Sequence, residues 1–472
     1  MRDKRPVKRP RMDETARPAV GQPAGRMRER LSRMSPARLL VLSFACAILA
    51  GTFLLWLPFA HHGNVGPLEA LFTATSAVCV TGLIVVDTGS EFTVFGQFVI
   101  LLLIQTGGLG IMTFAAIAMK MGGARMPLTH QQALQDSIFQ RNAAAEFTHT
   151  FPRILKMVAV IELAGFALLC VGLVAAERSW SAVYSALFHT VSAFCNAGFS
   201  LYSDSFCRFG GNGMVVGTVM VLIVLGGLGH VVLRELYLDV KRMLQREALT
   251  YARRFSFHTR VVLTVSIVLI LGGAVTLAVF GLGTEPGSGR LGHALFQSIT
   301  ARTAGFNTVD IGHLTMPSAM VVILLMFIGG APGSCAGGIK TTSFAIWLAR
   351  VRSALHGREE VSLLGRMIPP ELVLRAVAVV GLAFIWNAAG VLFLSEFLPA
   401  GTRLRDIVFE QMSAFGTVGL STGLTSQLTS ACRLWIIVTM FVGRLGPLTL
   451  VLSFLTTKRP QMRYAEGRVM IG

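Results

Sequence analysis

Acidic side chains are scarce in this sequence. Only 24 Asp and Glu stand against 42 Lys and Arg in 472 residues, and charged residues of both signs make up 14% of the chain. Soluble domains carry about 25% charged residues, so a water-soluble globule is excluded. Seven cysteines occur without a CxxC pair or a Cys/His cluster, so neither a disulfide framework nor a metal site is indicated. No nucleophile–base pair and no metal-ligand helix can be read. The stretch GSCAGGIKTT resembles a phosphate-binding loop, but that loop needs Lys directly after its second Gly, and here Ile339 precedes Lys340. The enzyme classes recognisable by motif are thereby removed.

What is present is hydrophobic length. Apolar residues make up 53% of the chain, and runs at 39–57, 157–176, 261–282 and 434–455 each reach about 19 residues, the length of a membrane span. The chain therefore reads as a polytopic helical membrane protein. The first run follows a long basic tail and lacks a small-residue cleavage site, so it reads as a span and not as a signal peptide.

The net charge of +18 resembles a nucleic-acid signature, but its distribution points elsewhere. Residues 1–38 hold twelve Lys/Arg against four acids. Further basic residues gather at Arg234, Lys241, Arg242, Arg246, Arg253, Arg254 and Arg260, at 350–375 and from Lys458 onward. The segments between carry few. That alternation is the positive-inside pattern and places both termini and the inter-repeat loops in the cytoplasm of a multi-pass protein of the cell membrane. No nucleic-acid partner is expected. Residues 1–37, rich in Arg, Pro and Gly without apolar periodicity, read as a disordered cytoplasmic tail able to touch anionic lipid.

Four stretches organise the chain: TSAVCVTGL at 75–83, SAFCNAGF at 192–199, TARTAGF at 300–306 and SAFGTVGL at 413–420. Their glycines, Gly82, Gly198, Gly305 and Gly419, lie 116, 107 and 114 residues apart. Each follows an apolar segment too short to span a bilayer and precedes a long apolar one. The repeated order is spanning helix, short re-entrant helix, glycine stretch, spanning helix. Fourfold recurrence gives eight spanning helices and four re-entrant ones around a central axis. The units are 38–122, 153–236, 258–350 and 371–457, with a C-terminal tail at 458–472.

Rings of backbone carbonyls can replace the hydration shell of a cation at membrane depth. The matched positions are Val80-Thr81-Gly82, Asn196-Ala197-Gly198, Thr303-Ala304-Gly305 and Thr417-Val418-Gly419. Their side chains differ and none is acidic, so a carboxylate filter is excluded and coordination by backbone is expected. A monovalent cation at this filter is the only metal ion implied. Asp87, Asp204 and Asp310, just beyond three of the glycines, are positioned to gather cations at an outer mouth. Arg302 should point behind the filter, toward Glu410 of the next short helix. Glu162 is an intramembrane carboxylate whose partner the sequence does not name. Cys79 and Cys195, each three residues before a repeat glycine, read as small buried packing residues.

A second repeated feature lies within each trailing helix: QTGGLG at 105–110, VLGGLG at 224–229, FIGGAPGSCAGG at 327–338 and FVGRLG at 441–446. The first and second are compatible with small-residue helix packing. The third is too rich in glycine to remain helical and should form an irregular loop lining a cavity. Gly329, Gly330, Gly333, Gly337, Gly338 and Lys340 form this candidate gate, with Arg444 of the fourth copy. A buried Arg at that depth costs about 2.5–3.5 kcal/mol, so it should seek carbonyls freed by the broken third helix.

The motifs TSAVCVTGLIVVDTG, QTGGLGIMTF, SAFCNAGFS, TARTAGFNT, GGAPGSCAGGIKTT, SAFGTVGLSTGLT and GRLGPLTL resemble those of the Trk/Ktr/HKT superfamily of cation transporters over about 38–457. The single helix before the first re-entrant segment places the resemblance in the Ktr branch. It implies a potassium pore in each subunit, a homodimer, and a cytoplasmic ring of KtrA-type nucleotide-binding subunits acting on the third-repeat loop. The nucleotide then belongs to the partner, and no cofactor is bound by this chain. Glycine at all four filter positions goes, within the superfamily, with potassium preference, whereas plant relatives with Ser in the first favour sodium. A less selective or sodium-coupled transporter is the alternative in the same class; a membrane scaffold with a basic tail is the alternative outside it.

Overall fold

The computed structural model describes residues 36–63, 65–110, 143–245, 255–283 and 290–454. The expectations for most of the basic tail, for the end of the first trailing span and for the C-terminal tail lie outside these residues. Within them the chain is helical apart from loops and one two-residue hairpin, Ser362–Leu363 with Arg366–Met367.

The helices fall into four groups. The first comprises α1 (Pro36–Trp56), α2 (Pro67–Val78) and α3 (Val94–Gly108). The second comprises α4 (Ala143–Glu177), α5 (Ser181–Phe194), α6 (Gly213–Leu228) and α7 (His230–Leu244). The third comprises α8 (Phe257–Phe280), α9 (Arg290–Thr300), α10 (Met316–Phe327) and α11 (Thr341–Leu355). The fourth comprises α12 (Pro370–Phe397), α13 (Leu404–Gly416), α14 (Ser430–Leu445) and α15 (Pro447–Phe454). The trailing helices α3, α6, α10 and α14 start the same way. A polar side chain at the N-cap (Thr93, Asn212, Thr315, Thr429) accepts a hydrogen bond from the first turn, which stabilises such a start by about 1 kcal/mol.

Packing between groups is cyclic. Helix α3 lies on α5, α6 on α9, α10 on α13, and α14 back on α2. Each short helix is thus held between its own group and the trailing helix of the one before, and the circle closes. Large apolar residues such as Leu163, Val171, Val268, Val279, Leu374 and Leu392 face outward around it. So much exposed apolar surface suits a lipid solvent and would be an association site in water. Among the described residues, 154–177, 257–280 and 370–397 are single helices long and apolar enough to cross a bilayer.

Of the other expected spans, the first, α1 (Pro36–Trp56), is unbroken, and the trailing ones of the second, third and fourth groups are interrupted. The sequence led to continuous trailing helices in the second and fourth groups and a broken one only in the third. Instead α6 and α7 meet at Gly229 with a 111° bend. Likewise α14 ends at Gly446, where φ is +85°. The third trailing helix is split by residues 328–340, as expected. In the first group Gly110 also has positive φ, +69°. The last glycine of each repeated GGLG or GRLG motif therefore turns the chain, because only glycine takes these angles without a Cβ clash. The first glycine does the packing: a Cβ on Gly107, Gly226 or Gly443 would collide with the carbonyl of Val78, Phe194 or Phe415 at the end of the adjacent short helix.

Candidate functional site

The four short helices end one to three residues before a repeated backbone kink. Val80, Asn196, Thr303 and Thr417 all have positive φ (56°, 59°, 78° and 50°), and so do Gly82, Gly198, Gly305 and Gly419 two residues on. Residues other than glycine pay about 1–3 kcal/mol for such angles and hold them only where the surroundings dictate it. Four matched exceptions in one chain mark a common geometric requirement.

That requirement is a closed ring. A Cβ built on Gly82 would strike the carbonyl oxygen of Ala197 and lie 3.0 Å from Cα of Gly198. One on Gly198 would lie 2.8 Å from the Ala304 oxygen and 3.0 Å from Cα of Gly305. One on Gly305 would lie 2.5 Å from the Val418 oxygen and 3.2 Å from Cα of Gly419. One on Gly419 would strike the Thr81 oxygen and lie 3.0 Å from Cα of Gly82, closing the circuit. With a carbon–carbon bond of about 1.5 Å, successive glycine Cα atoms are within about 4.7 Å of each other. The structure brings the four glycines together with the carbonyl oxygens of Thr81, Ala197, Ala304 and Val418 at the joints, and Val80, Asn196, Thr303 and Thr417 are the kinked residues that lead into them. The short helices lead into this ring by their C-termini, the negative ends of their dipoles.

Each segment is braced by a hydroxyl that sequence reasoning passed over. Gly82 N–H donates to Ser76 Oγ at 3.0 Å, and Gly419 N–H donates to Ser413 Oγ at 3.1 Å. Ser192 Oγ donates to the Phe199 carbonyl at 2.8 Å and Thr300 Oγ1 to the Phe306 carbonyl at 2.6 Å. All four are fully buried. The signal was present: Ser-Ala or Thr-Ala recurs at the end of every short helix, at 76–77, 192–193, 300–301 and 413–414.

Residues 328–340 fold under this ring. At the neck, Gly329 N–H donates to the Ile339 carbonyl at 2.9 Å and Thr341 N–H to the Gly330 carbonyl at 3.0 Å. The bend at Gly229 leaves the last carbonyls of α6 without helical partners, and the loop supplies them. Ala331 N–H donates to Gly227 O at 3.0 Å and Cys335 N–H to Gly226 O at 3.2 Å. His230 approaches the Gly333 carbonyl through its backbone N–H at 3.3 Å and through Nδ1 at 3.0 Å. On the opposite side Gly338 N–H donates to Gly443 O at 3.2 Å, and a Cβ on Gly337 would strike the Thr417 hydroxyl. Lys340 Nζ donates to the Ala336 carbonyl at 2.6 Å.

Arg444 is 4% exposed. One terminal nitrogen donates to the Cys335 carbonyl and the other to the Gly107 carbonyl. The fourth trailing helix is thereby tied to the loop and to the first trailing helix at once, and the partners are main-chain carbonyls, one of them in the broken segment.

Arg302 does not reach Glu410. Its guanidinium points behind the ring to Ser266 (backbone O at 3.5 Å, Oγ at 3.4 Å) and to the Gly329 carbonyl at 3.3 Å. Glu410 is closed within its own group, accepting from Ser421 Oγ at 2.5 Å, Thr422 N–H at 3.0 Å and Thr425 Oγ1 at 2.6 Å. Opposite charge had suggested the pair, but local hydroxyls satisfy a buried carboxylate more readily than a residue from another group. Glu162 accepts from Gln105 Nε2 at 3.1 Å, and Gln105 Oε1 accepts from Cys195 Sγ at 3.4 Å. Cys79 and Cys195 are both fully buried.

The three aspartates have local work. Asp87 caps residues 88–91, accepting from the N–H groups of Gly89 and Ser90 at 2.9 Å. Asp310 accepts from Gly312 N–H at 2.8 Å. Asp204 is paired with Arg208 at 2.8 Å; its slight burial pushes the carboxyl upward, but the hydrogen bonds and charge of Arg208 win and hold it below the usual carboxylate range.

A closed ring of main-chain segments, short helices leading into it by their C-termini, and an irregular loop pinned by a buried arginine lie at the centre of a polytopic helical membrane protein. The chain belongs to the TrkH family of cation transport proteins, whose sequence profile matches residues 31–465. These are transporters and not enzymes. The chain is 38% identical to the Ktr system potassium uptake protein B of Bacillus subtilis over 93% of its own length and 97% of that protein's. It is 36% identical to the potassium/sodium uptake protein NtpJ of Enterococcus hirae, over 93% and 98%. Its identity to the Ktr system potassium uptake protein B of Vibrio alginolyticus is 34%, over 92% and 94%. The crystal structure of the potassium transporter TrkH from Vibrio parahaemolyticus shares the fold, with a TM-score of 0.68 at 18% identity over 88% of this chain and 84% of that one.

Proposed function

We propose that the protein carries potassium into the cell through the axis of the four groups. A dehydrated ion is held by carbonyls of Val80-Thr81-Gly82, Asn196-Ala197-Gly198, Thr303-Ala304-Gly305 and Thr417-Val418-Gly419. The observation that carries this reading is the closed circuit of glycines, each barred from any side chain by the next segment's carbonyl. Backbone oxygens are the only ligands such a ring can offer, and they suit a monovalent cation. Below it, the loop of Gly329, Gly330, Gly333, Gly337, Gly338 and Lys340, fastened by Arg444, closes the path. Opening requires the loop to leave the α6 carbonyls and Arg444 to release Cys335.

The protein sits in the cell membrane with both termini cytoplasmic, works as a homodimer, and takes its regulatory signal from a cytoplasmic ring of nucleotide-binding subunits. Asp87, Asp204 and Asp310 mark the outer mouth. Growth rescue of a bacterium deficient in potassium uptake tests the whole reading. Rescue at low potassium, strengthened by co-expression of a candidate ring subunit, supports it; absence of rescue by well-expressed protein counts against it.

A second reading is transport of potassium and sodium by one pathway, favoured by the 36% identity to the potassium/sodium uptake protein of Enterococcus hirae. A flux competition series across alkali cations separates the two. Strong preference for potassium and rubidium supports the first; comparable lithium and rubidium permeation supports the second.

A further inference from the structure

Arg302 is the one strong cation within the ring segments, and the reading above gives it no task. It is 9% exposed. Its hydrogen bonds are long, 3.3–3.5 Å, near the limit at which such contacts still count. Nε has no partner. A guanidinium that served only as scaffold would be expected to make short, charge-assisted bonds; this one is loosely held. It borders a small cavity also lined by Asn196, Ser266, Ile270, Ile299 and Gly330. That cavity therefore touches a ring segment of the second group, a ring segment of the third and the start of the loop. Arg302 is chain neighbour to Thr303, whose φ is +78°, and the Thr303 hydroxyl lies 3.3 Å from the Asn196 amide. Gly329, its loop acceptor, is half of the neck pair with Ile339.

We infer that Arg302 is a positioning residue that couples the 328–340 loop to the third ring segment, so that loop movement alters ion discrimination as well as flux. When the loop withdraws, the Gly329 carbonyl is lost and the guanidinium re-seats in the cavity toward Asn196. The Arg302-Thr303 backbone and its contact with Asn196 shift with it. This inference rests on the proposed gate and ring.

The test is a double-mutant cycle on the full-length protein in proteoliposomes, reading both rubidium influx and the potassium-to-sodium preference. The four proteins are the unaltered chain, Arg302→Gln, a deletion within 333–338, and the combination. The deletion is expected to raise influx and to lower the preference by about two- to thirtyfold, the span of ordinary coupling energies. Arg302→Gln alone should lower the preference by a similar factor, and the combination should lower it no further than either single change. Arg302→Lys keeps the charge but cannot span Ser266 and Gly329 together, and should behave like Arg302→Gln. Ser266→Ala, which leaves the ring untouched, should shift the preference in the same direction and carries the test if the Arg302 variants do not fold.

Multiplicative effects in the combined variant, or full preference in Arg302→Lys or Ser266→Ala, would overturn the coupling while leaving the gate intact. A deletion that changes neither influx nor preference would overturn the gate and the coupling with it.

Discussion

Serine in place of Gly82 puts a side chain where the ring has no room for one. The new Cβ would overlap the Ala197 carbonyl oxygen and sit 3.0 Å from Cα of Gly198, on a backbone whose φ is +89°. Both obstacles are main chain, so no flexible side chain can swing away. Holding a non-glycine residue at such an angle costs about 1–3 kcal/mol. Relief comes by moving the Ala197 carbonyl or the 80–82 segment outward, which removes an oxygen from the ring. With tenfold per 1.4 kcal/mol, a cost of that size expressed in discrimination lowers the potassium-to-sodium ratio by about five- to a hundredfold. The assay is competition by potassium, rubidium, sodium and lithium against radioactive rubidium uptake in proteoliposomes. Gly381→Ser is the control, because a Cβ there meets nothing within 4 Å. An unchanged ratio in folded Gly82→Ser protein would refute the reasoning and remove Gly82 from the ion's coordination.

Other outcomes follow from the same geometry. Arg444→Ala deletes two charge-assisted bonds that fasten the loop, each about 1.5–3 kcal/mol, and should raise basal rubidium influx at least tenfold without a ring subunit; equal or lower influx would count against the gate. Ser413→Ala strips the Gly419 N–H of its acceptor, an unmet buried donor costing about 1–3 kcal/mol, and should lower discrimination in the same assay, while Ser413→Thr retains it; discrimination equal to the unaltered protein would show that the hydroxyl does not brace the ring. Asp87→Asn keeps the helix cap but loses the charge, and should reduce influx at low ionic strength with the difference vanishing as salt screens it. Asp204→Asn should do less, since Arg208 already balances that carboxylate; the reverse order would overturn the assignment of the outer mouth.

The glycine stretches were readable because they recur, and recurrence survives differences in the intervening side chains. The loop of the third group was readable for a different reason: five glycines and a proline in twelve residues cannot stay helical. The breaks at Gly229 and Gly446 were not. A glycine inside an apolar run packs or turns with equal ease, and here the motif does both, Gly226 packing on Phe194 and Gly229 turning the chain. What decides the turn lies in another group, where Ala331 and Cys335 supply N–H donors to the carbonyls the bend exposes. The partners of Arg302 were hidden for a related reason. Ser266 and the Gly329 carbonyl carry no charge to announce them, whereas Glu410 does. Arg444 was more legible, since a charge at that depth has to find carbonyls and the broken third helix supplies one of them, Cys335; the other, Gly107, lies in the first trailing helix and was not foreseen.

The central claim is that an ion stripped of water rests among main-chain oxygens between Gly82, Gly198, Gly305 and Gly419. The most direct measurement is anomalous scattering from crystals of the protein grown in rubidium or thallium. The account predicts density on the line through the middle of those four residues, depleted by potassium and not by sodium. Density elsewhere, or none at that point in well-ordered crystals, would contradict it.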